Sequence, residues 1–182
     1  RIFLERSQNF VDDPNLRTPL HDGGFYFNPR SSKAGEQRVS ATEVHFNSYG
    51  TPTCDGIACY AYLGLRAQDP RVSAALAWLQ AHYSIKENPG FAADDPIRFQ
   101  EGIYYYYLYS LSQALSAVGR EVLTTPDQRT HYWVRDMADQ LQRLQRPDGS
   151  WVNRLNIMTE DDPIVATGLS LHALNTAAKF LR

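Results

Sequence analysis

Carboxylates and tyrosines are the residues of this chain placed where they could do chemistry. Asp55 and Glu101 stand near the expected starts of uncharged helical stretches, and Thr159-Glu160-Asp161-Asp162 is an acidic run ahead of a third. A carboxylate at a helix N-terminus is favoured in its ionised form, which suits a cap better than a strong acid. Asp162 followed by Pro163 reads as such a cap and first-turn pair. If carboxylates carry catalysis, the candidates are Glu101, Asp55, Asp161 and Asp162. Tyr104, Tyr105, Tyr106, Tyr107 and Tyr109 cover most of a helix circumference, since successive residues are about 100° apart. At least one must therefore face the interior, where its ring would line an apolar pocket or stabilise a cation; the plainer role is core packing with the hydroxyl at a polar edge. Candidate ligand contacts are Tyr49, Tyr104, Tyr105, Tyr106 and His172. His172 lies inside an uncharged helix, where a lone histidine is more often a satisfied core residue than a ligand.

Metal and redox chemistry find little support. His21, His45, His82 and His131 form no metal spacing with cysteines or with each other. Cys54 and Cys59 are five residues apart and, on one helix, too far round the cylinder to bridge. They are expected as reduced core thiols, which suits a reducing compartment and equally a disulfide-free extracytoplasmic protein. No cofactor and no metal are expected. The net charge of −2 leaves no basic field for nucleic acid. Residues 102–119 carry no charge over 18 positions, near the length of a membrane span, but their serines, glutamine and tyrosines favour a buried helix.

Two kinds of helix position these residues. One is amphipathic: Asp69-Pro70 opens a helix with Val72, Leu76, Leu79 and Tyr83 on one side, and residues 131–146 repeat the design with Trp133, Met137, Leu141 and Leu144. The other lacks charge nearly all round, at residues 57–65, 102–119 and 164–178, which marks helices surrounded by protein. The two alternate along the chain, predicting an inner ring wrapped by an outer one. Turns recur as well: Gly23-Gly24-Phe25, Pro89-Gly90-Phe91 and Asp148-Gly149-Ser150-Trp151 each put glycine ahead of an aromatic ring. Gly56-Ile57, Gly102-Ile103 and Gly168-Leu169 echo one another on the inner helices and suggest close packing there. Residues 1–10 read as the tail of an outer helix. Residues 26–48 form a long polar connection, of a length that is usually functional or mobile.

Gln145-Arg146-Pro147-Asp148-Gly149-Ser150-Trp151 resembles the core of the QW motif of squalene and oxidosqualene cyclases. In that family the glutamine closes the end of the outer helix and the tryptophan stacks beside it, which implies structural roles for Gln145, Gly149 and Trp151. More of the chain is similar to bacterial prenyltransferase and squalene-oxidase repeat proteins: Asp22-Gly23-Gly24-Phe25, Ser48-Tyr49-Gly50-Thr51, Asp69-Pro70-Arg71-Val72, Glu87-Asn88-Pro89-Gly90 and Gly102-Ile103-Tyr104-Tyr105-Tyr106. The resemblance implies an all-α fold, one α/α toroid domain over residues 1–182, as a partial ring of about three helical hairpins. The ring would be completed by sequence upstream of Arg1 or by a second copy of the chain.

The family chemistry is not matched. The cyclase acid motif, Asp-x-Asp-Asp, would fall on residues 163–166, which hold no carboxylate. The zinc ligands of protein prenyltransferases are replaced by Ile103 and Ala166, and one remaining carboxylate makes no tetrahedral site. The function expected is binding of an isoprenoid or other apolar small molecule inside the ring. The alternatives are a non-catalytic toroid used as a scaffold or interaction module, and a polysaccharide-active α/α barrel with two facing carboxylates.

Overall fold

A computed structural model describes residues 1–180. Helices dominate. In chain order they are α1 (Ile2–Arg6), α2 (Gly50–Tyr62), α3 (Pro70–Ala81), α4 (Phe99–Gly102), α5 (Tyr104–Ala117), α6 (Trp133–Leu144) and α7 (Pro163–Ala178). The chain is not wholly α. The long connection ahead of α2 folds into an antiparallel hairpin, β1 (Glu36–Arg38) with β2 (Val44–Phe46), and a second small hairpin, β3 (Leu123–Thr124) with β4 (Thr130–His131), lies ahead of α6.

Local signals start two of the helices. The Asp69 carboxylate accepts the Arg71 N–H at 3.0 Å, and Pro70 occupies the first turn of α3. Asp162 accepts the Ile164 N–H at 2.7 Å, with Pro163 in the same place on α7. Both use the pre-set φ of proline where no N–H is needed. α2 begins seven residues before the uncharged stretch, because Pro52 falls in its first turn, where a helix tolerates it.

α2 packs against α3 and α5, α5 packs against α7, and α7 packs against α6. α2, α5 and α7, which carry a single charged residue, Asp55, thus stand in a row, with the amphipathic α3 and α6 flanking it. The α3 stripe is buried as expected at Val72, Leu76 and Leu79. On α6, Trp133, Met137 and Leu141 are buried, whereas Leu144, in the last turn, is 38% exposed.

α7 departs from the expectation for a charge-free helix. Ala166, Ser170, Ala173, Thr176 and Ala177 form its buried face, small enough to let α5 and α6 approach, while Ile164 and Leu171 are 82% and 54% exposed. His172 faces solvent too. The glycine echo divides likewise: a Cβ on Gly56 would meet the Phe25 ring at 2.7 Å, whereas a Cβ on Gly168 would meet nothing within 4 Å.

The turn after α6 has a definite internal logic. Gly149 takes φ +83°, a left-handed value that suits glycine. The Gln145 amide donates to the Gly149 carbonyl at 2.9 Å, so it braces the turn rather than the helix end. The helix end falls to Trp151, which is buried and whose indole N–H donates to the Leu141 carbonyl at 2.8 Å. Its backbone N–H donates to the Thr167 hydroxyl of α7 at 3.1 Å. One residue thereby closes α6 and ties it to α7.

Trp151→Ala should cost about 3–5 kcal/mol in urea unfolding, as truncation of a buried aromatic does. Gln145→Ala, at an exposed site, should cost less than about 1 kcal/mol. Equal losses from the two substitutions would contradict this division of roles.

Candidate functional site

A mostly apolar cavity of about 240 Å³ lies between α1, α2 and the start of α5. Its walls follow from how these pieces are fixed. Phe25 is held on α2 by two backbone bonds: its N–H donates to the Thr53 hydroxyl at 2.9 Å, and its carbonyl accepts the Tyr49 N–H at 3.0 Å. Its ring then lies over Gly56 and meets Tyr60 edge-on at 5.7 Å. Gln8, just after α1, is buried and donates through its side chain to the carbonyls of Gly23 and Arg71. That fixes the short helix α1, whose Phe3 and Leu4 close one side. Tyr49 and Ile103 close another.

Asp55 is the one carboxylate in the lining. The expectation that it sits at a helix start is overturned: it is the sixth residue of α2, within the helix body, half-buried and turned toward the cavity. The Tyr106 hydroxyl donates to its Oδ2 at 3.3 Å. The Ser110 hydroxyl, one turn further along α5, is buried and closes no hydrogen bond of ordinary geometry, yet stands near enough to favour the ionised carboxylate. Burial pushes the Asp55 carboxyl above the usual carboxylate range, and the hydroxyls of Ser110 and Tyr106 pull it part of the way back. An acid shifted toward its protonated form in an apolar setting can donate a hydrogen bond or a proton. Tyr106 itself is pushed up to about 12 by burial, with the Asp55 charge adding to the effect. It serves as a neutral donor.

The start of α5 is capped from far along the chain. Glu160, fully buried, accepts the backbone N–H of Tyr104 and Tyr105 at 3.0 Å on Oε2, and that of Tyr106 at 2.8 Å on Oε1. The Asn153 amide donates to the same carboxylate at 2.9 Å. The start of α2 is held in a similar way: Asn88 Oδ1 accepts the Thr51 N–H at 3.1 Å, and its amide donates back to the Thr51 hydroxyl at 2.8 Å. α2 and α5 therefore each begin on a side chain from a later loop.

The other candidates fall elsewhere. Glu101 is exposed and ion-paired with Arg98, on the far side of α5 from the cavity. Asp161 and Asp162 are exposed, and Asp162 is spent on capping α7. Of the tyrosines, Tyr49 and Tyr106 line the cavity. Tyr104 and Tyr105 do not: their hydroxyls donate to the carbonyls of Ile85 at 2.7 Å and Val152 at 3.4 Å. His172 meets only the edge of Tyr109, at 6.1 Å between ring centres, and is exposed.

Lys33, Cys59 and Met158 are among the lining residues that carried no site reading in the sequence. Lys33 had a signal, since it sits in the long connection whose length suggested function. Cys59 is exposed at the cavity, whereas Cys54 is buried. Among the described residues no group of three or more His, Cys, Asp or Glu side chains converges to hold a metal ion, and no helix is long and apolar enough to cross a membrane.

No protein-family model, curated protein or solved structure matches the chain.

The raised carboxyl makes a stability prediction with a definite sign. Asp55 binds its proton more tightly folded than unfolded, so its contribution is fully present below the unfolded value near ~3.9 and is lost as pH rises through the folded value. Asp55→Asn should therefore be more stable than the parent at pH 7, with the advantage shrinking toward pH 4, in thermal unfolding at both pH values. A variant less stable than the parent at pH 7 would show that the ionised carboxylate is a structural asset instead.

Proposed function

We propose that this chain is a terpenoid cyclase- or prenyltransferase-like protein that holds an isoprenoid or other apolar small molecule in the α1–α2–α5 cavity. In this reading the row α2, α5, α7 with its flanking helices is an arc of an α/α toroid, and the cavity lies on the inner helices. The observation that carries the proposal is Asp55: a single acid, hydrogen-bonded by Tyr106, in walls otherwise mainly of aromatic and aliphatic side chains. Such a pocket, apolar with a few placed polar groups, is the usual form of a small-molecule site.

Size narrows the ligand. A cavity of ~150 Å³ lined by apolar side chains holds a benzene ring, so 240 Å³ takes on the order of ten carbon atoms. That suits a monoterpenoid and excludes burying a whole triterpene. Asp55 would donate to an oxygen or a double bond of the bound molecule, and Tyr106 would hold the carboxyl in place. A polysaccharide reading gains no support, because it needs a second carboxylate opposite the first, and Glu101 lies on another face.

Cys59 offers a direct test. Geraniol should slow alkylation of Cys59 by iodoacetamide at least threefold, read by intact-mass spectrometry, while buried Cys54 stays unreactive. Alkylation of Cys59 at an unchanged rate up to the solubility limit of geraniol would refute occupancy of the cavity.

A further inference from the structure

Among the described residues Lys33 is the only cation in the cavity lining, and its surroundings are unusual for an ammonium. Its nitrogen lies 5.2 Å from the centre of the Phe27 ring, 5.5 Å from that of Phe99 and 3.4 Å from the Met158 sulfur. Among the described residues it makes no ion pair. The nearest acidic cluster, Asp94 and Asp95, borders a neighbouring hollow that Lys33 also touches, and the Asp95 carboxylate is engaged by the N–H groups of Ile97 and Phe99. An ammonium can donate three hydrogen bonds. Here two rings and a thioether flank one side of it, and the other side is open to solvent.

The position is built rather than incidental. On one side of Lys33, the Ser32 hydroxyl donates to the Asn47 carbonyl at 2.6 Å. On the other, the Asn47 amide donates to the Ala34 carbonyl at 2.9 Å and the Asn47 N–H to the Gly35 carbonyl at 3.0 Å. The loop is pinned to the residues just after β2, and the lysine is half-buried.

We propose that the cavity takes an amphiphile of the medium-chain carboxylate class, its apolar body against Phe25 and Ile103 and its single negative charge on Lys33. The proposal rests on the reading of the cavity as an apolar ligand site and adds the head group. One ammonium balances one negative charge, so a monocarboxylate fits better than a diphosphate. The aromatic faces of Phe27 and Phe99 hold the ammonium in place without neutralising it, and an anion brought in by the ligand supplies a charge-assisted acceptor in place of water.

The test compares sodium octanoate, 1-octanol and octyl phosphate by calorimetry at pH 7, with Cys59 alkylation as a second readout. Octanoate should bind the parent protein at least tenfold more tightly than octanol, and octyl phosphate no more tightly than octanoate. Lys33→Met, which keeps the stem and removes the charge, should erase the preference by weakening octanoate about tenfold while leaving octanol unchanged. Lys33→Gln should do the same. Octanol binding as tightly as octanoate to the parent protein, or a preference that survives both substitutions, overturns the head-group assignment alone. A tenfold advantage for octyl phosphate overturns the single charge. Failure of every compound to bind or to protect Cys59 removes the underlying apolar site as well.

Discussion

The carboxylate of Glu160 holds the first turn of α5, and the centre of the molecule is organised around that contact. An α-helix leaves its first four N–H groups without intrahelical partners. α5 begins inside the protein, with Ile103, Tyr104 and Tyr105 buried, so water cannot serve those groups. A buried orphan N–H costs about 1–3 kcal/mol, and three of them together would make this helix start untenable. Glu160 meets all three, and Asn153 completes its shell. Burial of the carboxyl pushes its pKa up, and the N–H groups of Tyr106, Tyr105 and Tyr104 and the Asn153 amide oppose that shift. The positive end of the helix dipole also favours the charge there.

That contact sets the geometry of the cavity. Because α5 starts at Tyr104, Tyr106 falls on the side facing α2, where its hydroxyl reaches Asp55. The loop that delivers Glu160 also carries Met158 to the cavity and to Lys33. Trp151, in the same connection, closes α6 and grips α7. A single connection between α6 and α7 therefore caps α5, seals the end of α6 and contributes to a wall of the pocket. Asn88 performs the matching service for α2 from the loop after α3.

What the sequence reveals is what local rules decide. Asp69-Pro70 and Asp162-Pro163 start helices where they stand, since cap and first turn are adjacent. The alternation of charge-free and amphipathic stretches correctly pairs α2, α5 and α7 with flanking α3 and α6, because burial follows from side-chain type. That at least one of the five tyrosines faces inward follows from helical geometry alone, but which one does not. The largest failure depends on partners 50 or more residues away. Glu160 is 54 to 56 residues from the amides it caps, and nothing local distinguishes it from Asp161 and Asp162 beside it. Glu101 looks like a cap by position yet turns outward to Arg98. Asp55 looks like a helix-start residue because the uncharged stretch begins just after it, at Ile57. His172 misleads for a different reason: absence of charge on α7 comes from its small packed face and does not require burial on all sides.

Amide hydrogen exchange at Tyr104, Tyr105 and Tyr106 tests the dependence on Glu160 most directly. First-turn amides of a helix ordinarily exchange fast, through fraying, whereas those held by a buried carboxylate open only with the core. The three amides should exchange as slowly as those of Leu108 and Leu111 in the middle of α5. Exchange at the rate of a frayed helix end would contradict the cap and, with it, the placement of Tyr106 against Asp55.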